Sequence, residues 1–189
     1  MARFSRAELE SYRDAEVPDL LPDGDLRLLF VGINPGLWTA ATQTHFAHPA
    51  NRFYPALLLA GIITEPISPS DGMTDDDRDR LRARGIGITN IVRRATARAS
   101  ELSDEELRAG GMELVETVRR TRPQVLAIAG VTAYRVAFGQ RKATMGPQPV
   151  PLAGTQVWVV PNPSGLNAHE TTATLALAYA EVARAAGVI

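Results

Sequence analysis

Two short apolar runs, each halted by Asn, Pro and Gly, constrain this chain more than any other feature. Leu26–Val31 runs into Gly32-Ile33-Asn34-Pro35-Gly36, and Val157–Val160 runs into Asn162-Pro163-Ser164-Gly165-Leu166 after a single proline. Short apolar runs bounded by turn signals read as strands buried on both faces, as in a parallel sheet. In such a sheet functional groups collect at the carboxyl ends of strands, where loop backbones are held rigid yet stay open. Two Asn-bearing loops at two strand ends predict one site built from both.

The remaining segments fit the same plan. Val125–Ala129 and Gly87–Val92 read as further strands. Helical patterns cover Ser5–Ala15, Pro49–Ala60, Thr74–Ala83, Ser103–Thr121, Val131–Phe138 and Thr171–Ala186. Ser5 with Glu8 and Ser103 with Glu106 have capping-box spacing, and Asp75–Asp77 put negative charge on a helix start. Gly110-Gly111 is unusual inside a helix and marks a close approach. Gly32–His48, Ile62–Thr74 and Arg141–Pro151 read as loops, and a loop as long as the first is usually functional. Strands alternating with helices predict a three-layer α/β/α fold with a central, mainly parallel, four-stranded sheet. At 189 residues, one domain spanning 1–189 is expected.

Composition narrows the chemistry. The chain has no cysteine, which excludes disulfides, thiolate zinc sites and cysteine-ligated clusters. It fits a reducing, bacterial-type cytosol, and the N-terminal MARFSRAELESYRD lacks a signal peptide's apolar core. No apolar stretch approaches a membrane span. The three histidines, His45, His48 and His169, have no metal-ligand spacing, so neither metal nor cofactor is expected. Net charge is -1, so binding to nucleic acid requires a local basic face. The richest segment is Arg78–Arg98 with seven arginines. Arg93, Arg94 and Arg98, just after Asn90, are the best phosphate candidates, whereas Arg78 to Arg84 read as a solvated helix face. Of 20 basic residues only Lys142 is a lysine, leaving few amines for Schiff-base chemistry.

Asn34 offers an amide donor and a carbonyl acceptor between two glycines and beside a stiffening proline. It suits either an Asx-type turn or the holding of a water. Phe46 is placed either to stack on a flat ligand or to join the core. Asn51 and Arg52 fit local caps or pairs.

Gly32–Gly36, then Phe46-Ala47-His48-Pro49-Ala50-Asn51-Arg52-Phe53-Tyr54, then Gly87–Asn90, then Asn162–Leu166 together resemble the mismatch-specific uracil-DNA glycosylase and thymine-DNA glycosylase family. This is a branch of the uracil-DNA glycosylase superfamily. The likeness runs in order from about Leu26 to about Tyr179 and includes Glu101-Leu102-Ser103, Ala109-Gly110-Gly111 and Thr155-Gln156-Val157-Trp158. The resemblance implies roles. Asn34 positions the hydrolytic water, and Phe46 stacks on an extruded base. The backbone at Ile33 and Gly36 contacts the base, and Asn90 reads its pyrimidine edge. Asn162, Pro163, Ser164, Gly165, Leu166 and Asn167 enter the DNA, with Leu166 as the wedge.

It further implies a monofunctional, monomeric enzyme that hydrolyses uracil and related pyrimidine lesions from double-stranded, mismatched DNA, leaving an abasic site for base excision repair. Two positions depart from the family. Arg93 stands where an acidic residue is common, and Asn167-Ala168-His169 stands where a basic residue usually probes the widowed guanine. Two other readings share the same pocket: a non-catalytic damaged-DNA binding module, and a hydrolase of free nucleosides or nucleotides, which has little use for Leu166.

Overall fold

In the computed structural model, which describes residues 4–189, a five-stranded sheet has the order β2-β1-β3-β5-β4. Its strands are β1 (Leu28–Gly32), β2 (Ile86–Asn90), β3 (Val125–Ala129), β4 (Gly146–Pro147) and β5 (Gln156–Val160). The first four places in that order are parallel, and β4 adds antiparallel to β5 at the edge. The three-layer, mainly parallel fold is as expected, but the sheet has five strands and not four. The extra strand is two residues long and lies inside the segment expected to be a loop. Its Pro147 sits on the edge, where a missing N–H breaks no ladder.

β1 and β3 are buried along their whole length because alternate residues feed two cores. Leu28 and Phe30 of β1, with Val125 and Ala127 of β3, face one cluster; Leu29, Val31, Leu126 and Ile128 face the other. The first core is covered by α3 (Phe53–Leu59), α4 (Asp75–Ala83) and α7 (Thr172–Ala185), and the second by α5 (Asp104–Thr121) and α6 (Val131–Ala137). Phe30, Phe53 and Tyr179 pack ring to ring at the centre of the first, with centroids 5.1 to 5.9 Å apart. Aromatic pairs at such spacings contribute beyond their buried area.

The helix caps match their sequence signals. Ser5, Thr74, Ser103 and Thr171 each cap a helix through a reciprocal capping box. The glycine pair in α5 also serves as expected. A side chain at Gly110 would overlap the carbonyl of Ile91, and one at Gly111 would come within 2.7 Å of Ala137 O.

The first two strands are shifted by one or two residues, and three helical segments differ more. The first helix, α1 (Arg6–Glu10), stops well before Ala15. Beyond it the chain turns away at Asp14 (φ 62°) and pairs Asp14 and Ala15 with Ala95. The helix expected from Pro49 begins at Phe53, because residues 48–52 form a separate tight turn. In that turn Asn51 N–H bonds to His48 O, and Asn51 Oδ1 accepts from Phe53 N–H. The long loop after β1 contains a six-residue helix, α2 (Leu37–Thr42), whose cap, Gly36, has no side chain to advertise it.

Candidate active site

Four parallel strands bring their carboxyl ends together at Gly32, Asn90, Ala129 and Val160. From β1 the chain crosses to β2 on one side, whereas β3 leads to β5 on the other. That reversal leaves a crevice at the strand ends, the general ligand position of open α/β sheets. Gly130 (φ 106°) lies at its floor, and a Cβ there would sit 3.4 Å from Ile33 Cδ1 and 3.8 Å from Asn162 Nδ2. A residue without a side chain therefore marks where the two Asn-bearing loops meet.

Asn34 is held by its amide nitrogen. Nδ2 donates to Thr96 Oγ1 (2.7 Å), Arg94 O (3.1 Å) and Pro35 O (3.1 Å). Its Oδ1 accepts nothing among the described residues, so the half-buried side chain presents a fixed acceptor and nothing else. The loop carrying it is an extension of the sheet. Ile91 N–H donates to Gly32 O, Val92 N–H to Ile33 O and Thr96 N–H to Pro35 O. Gly36 caps α2 at the exposed end of this loop, where the first-turn N–H groups lack helical partners.

The missing side chain of Gly32 lets two further site residues approach. A Cβ at this position would overlap Asn90 Oδ1 and lie 3.3 Å from the Phe46 ring. Asn90 Oδ1 and the edge of the Phe46 ring therefore both pack on the bare backbone of Gly32. Phe46 takes a left-handed backbone (φ 57°), a sparsely populated state for an aromatic residue and one that clusters at functional sites. Its half-buried ring stacks on Phe53 at 4.1 Å, so this side chain does join the core.

The orientation of Asn90 follows from a buried histidine. His45 Nε2 lies 3.0 Å from Pro18 O, and a carbonyl only accepts, so Nε2 carries the proton. Nδ1 is then a bare acceptor, 3.2 Å from Asn90 Nδ2, and the amide must turn its NH2 toward His45. Burial pushes the His45 imidazole below its ordinary pKa, which keeps that tautomer neutral; the Pro18 bond and nearby Asp19 pull the other way.

The second loop is braced by its own side chains. Asn162 Oδ1 accepts from Ser164 N–H (3.0 Å), and Asn167 Nδ2 donates to Asn162 O (3.1 Å). Ser164 Oγ accepts from Leu166 N–H, and Asn167 Oδ1 from His169 N–H. Pro163 is buried beneath it. At the tip Leu166 is 81% exposed, the most exposed large apolar side chain among those described. Asn167, expected to reach the DNA, instead uses both ends of its amide inside the loop.

The arginines divide. Arg93 pairs with Asp19 (3.2 Å). Arg94 bonds Glu106 (2.5 Å) and Asp14 (2.9 Å), and it holds the Glu106 carboxyl down to about 2. These two, expected to face phosphate, are engaged by carboxylates of their own chain. Arg98 is exposed and makes no ion pair among the described residues. Arg78, Arg80 and Arg82 pair along α4, as expected of a solvated face, whereas Arg84, expected on the same face, buries its Nε without a partner.

Three supporting residues were not predicted as site residues: Thr96, His45 and Arg52. Each acts through a long-range contact that no local motif encodes, although Arg52 lies inside the recognisable segment Phe46–Tyr54 and His45 directly precedes it. Among the described residues no group of three or more His, Asp or Glu side chains could hold a metal ion, and no helix is long and apolar enough to cross a membrane.

At these strand ends stand Asn34, its Oδ1 unpartnered among the described residues, and Gly32 with Asn90 and Phe46 packed on it. The family model for the uracil DNA glycosylase superfamily matches residues 18–183, and the chain belongs to that superfamily. It is accordingly a DNA glycosylase, a hydrolase of N-glycosyl bonds that acts on DNA, and uracil is the base its superfamily points to.

Proposed function

We propose that this enzyme hydrolyses the N-glycosidic bond of uracil, and of related pyrimidine lesions, in double-stranded and preferentially mismatched DNA, leaving an abasic site. The observation that carries the reading is the pairing of Asn34 with Gly32. One amide has its nitrogen engaged by three acceptors and its Oδ1 without a partner among the described residues, next to Gly32, on which Asn90 and Phe46 pack.

Reaching a base in a duplex requires flipping its nucleotide out of the stack, at a cost of a few kcal/mol that is smallest for a mispair. Leu166, exposed on a braced loop, fills the vacated space and offsets lost stacking. The flipped base lies against Phe46. Asn90, with its NH2 turned to His45, offers Oδ1 toward the N3–H of a uracil-type ring. As the C1′–N1 bond breaks, its electron pair leaves with the base, and the backbone at Ile33 and Gly36 stabilises the negative charge. The sugar becomes oxocarbenium-like. A water accepted by Asn34 Oδ1 adds its oxygen to C1′, and its proton ends on the departing base or solvent. An amide cannot ionise, so it orients the water without acting as a strong base, and the chemistry is slow.

DNA contact rests on Arg98 and on the backbone of residues 162–170. With Asn167 engaged in the loop, the opposite base is left to backbone groups and to His169. The exposed Leu166 favours DNA over free nucleosides, which offer nothing for it to fill. The test is excision on duplexes carrying U·G, U·A, T·G and a bulky cytosine adduct, with single-stranded uracil and free deoxyuridine as controls. Release of uracil from U·G ahead of U·A and the single strand supports the reading. Equal cleavage of free deoxyuridine, or no release from any substrate, sinks it.

A further inference from the structure

The second loop is held in place by a residue outside it. Arg52, the residue before α3, donates its backbone N–H to Pro163 O (3.0 Å). Its guanidinium donates through Nη2 to Ser164 O (2.7 Å) and Asn167 O (2.8 Å), and through Nη1 to Glu170 O. One half-buried side chain thus gathers three carbonyls from the start, middle and end of the Leu166 loop. Next to it Gly165 packs so closely on Ala50 that a Cβ would lie 2.7 Å from both Ala50 Cβ and Ala50 O. The loop therefore sits flush on residues 50–52.

The bonding pattern argues for positioning more than for stability. No carboxylate pairs with Arg52 among the described residues; the Glu170 carboxylate is taken by Thr174. The guanidinium Nε is buried without a partner. A cation set among neutral carbonyls with one donor unsatisfied is a weak source of folding energy. What the planar fork does supply is geometry, since its donors point in fixed directions. The neighbouring residue, Phe53, is the one on which Phe46 stacks. Arg52-Phe53 therefore joins the two halves of the site through adjacent residues.

We propose that Arg52 is a positioning residue, which clamps the 162–170 loop so that Leu166 enters the duplex in register with Phe46. The proposal rests on the glycosylase reading above. Without the clamp the loop must be ordered during each insertion, and that entropy is charged to every duplex event. A single-stranded substrate has no stack to open and is less affected.

The experiment compares wild type, Arg52→Ala, Arg52→Lys, Leu166→Ala and the Arg52→Ala/Leu166→Ala double variant. Single-turnover uracil release is measured from duplex and single-stranded oligonucleotides of one sequence, and amide hydrogen exchange is measured on the free protein. In Arg52→Ala the duplex rate should fall at least roughly tenfold more than the single-strand rate. Arg52→Lys should stay close to Arg52→Ala, because an ammonium cannot reproduce the fork. The double variant should be no slower than Leu166→Ala by more than about twofold, since both changes remove one function. Amides of residues 164–169 should exchange roughly tenfold faster in Arg52→Ala, with β1 and β3 unchanged.

Equal losses on both substrates, full duplex activity in Arg52→Lys, multiplicative losses in the double variant, or unchanged loop exchange each overturn the clamp. If wild type releases uracil from neither substrate, the glycosylase reading fails by itself. The exchange measurement still decides then whether Arg52 holds the loop.

Discussion

The two strand-end loops are built to opposite plans. The Asn34 loop continues the sheet: residues 91–96 run beside it and donate three backbone hydrogen bonds to residues 32, 33 and 35. The Leu166 loop leaves the sheet. It is held by side chains bonding to its own backbone and by one guanidinium from residue 52. On the function proposed above, the difference suits two tasks. Holding a water against a single carbon requires fixed positions, which a hydrogen-bonded ladder provides. Entering a deformable duplex requires an exposed group on a self-supporting arm, and the sheet has no part in that.

Removing the reactive group from each loop tests this division most severely. Asn34→Ala deletes the outward acceptor while leaving the ladder intact. Uracil release should fall roughly 1,000-fold, the scale seen for loss of one preorganised polar group in an active site, with duplex affinity nearly unchanged. Single-turnover rates and a binding isotherm on the same duplex check it. Leu166→Ala removes about three buried carbons' worth of wedge, near 2 kcal/mol, so duplex excision should drop roughly 30-fold. If the two variants had equal effects on duplex binding, the division between a chemical and a mechanical loop would be lost.

Thr96→Val sharpens the first half of the comparison. It removes the shortest of the three bonds to Asn34 Nδ2 and keeps the shape. The loss of one hydrogen bond, about 1 kcal/mol, predicts a roughly fivefold slower rate with unaltered duplex affinity. A Thr96→Val enzyme at full rate would mean that the ladder alone fixes Asn34.

What was legible in the sequence follows the same division. The buried strands were readable because full burial leaves continuous apolar runs such as Leu28–Val31 and Val125–Ala129. The helix starts were readable because Ser5, Thr74, Ser103 and Thr171 carry their caps in the local sequence. The motif residues Asn34, Phe46, Asn90 and Leu166 were visible as types in a recognisable order. The residues that orient them were not. Thr96 lies 62 positions from Asn34, His45 lies 45 from Asn90, and Arg52 lies more than 110 from the carbonyls it gathers. Their roles exist only after folding brings the segments together. The fifth strand was missed because two residues, one of them proline, carry no periodicity, and α2 was missed because glycine caps it. The reading of Arg93 and Arg94 as phosphate contacts failed to anticipate Asp19, Asp14 and Glu106, which reach them from elsewhere in the chain.

His45 gives the site beside the first loop a pH dependence that separates from the rest of the protein. Its imidazole is held below the ordinary value of 6.5 by burial, so the unfolded chain takes up the proton first as pH falls. The neutral form's contribution to stability is complete above that value and is lost as pH drops through the folded one. The slope from this one group cannot exceed about 1.4 kcal/mol per pH unit. Glu106, held at about 2 by Arg94, contributes in a lower window, between its ordinary 4.5 and about 2. His45→Gln offers a donor to Pro18 O and an acceptor to Asn90 without a titrating proton. Thermal melts across mildly acidic pH should show a smaller loss in His45→Gln than in wild type, and a parallel loss in both proteins would rule His45 out.

The smallest effect belongs to Arg98, and it tests the electrostatic half of the comparison. With Arg93 and Arg94 paired internally, Arg98 is the candidate cation beside the first loop that remains free of a carboxylate among the described residues. A net charge of -1 gives no overall attraction to DNA, so each local phosphate contact counts. Each phosphate neutralised adds about 0.9 to the slope of log affinity against log salt. Arg98→Ala should lower that slope by about 0.9 and weaken duplex binding a few-fold at moderate salt, equally for U·G and undamaged duplex, because a phosphate contact carries no base information. Arg94→Ala should leave the slope where it was, since its charge is already balanced by Asp14 and Glu106. A slope that falls for Arg94→Ala and not for Arg98→Ala would mean that the internal pairs open on DNA, and that the first loop, like the second, is rearranged by its substrate.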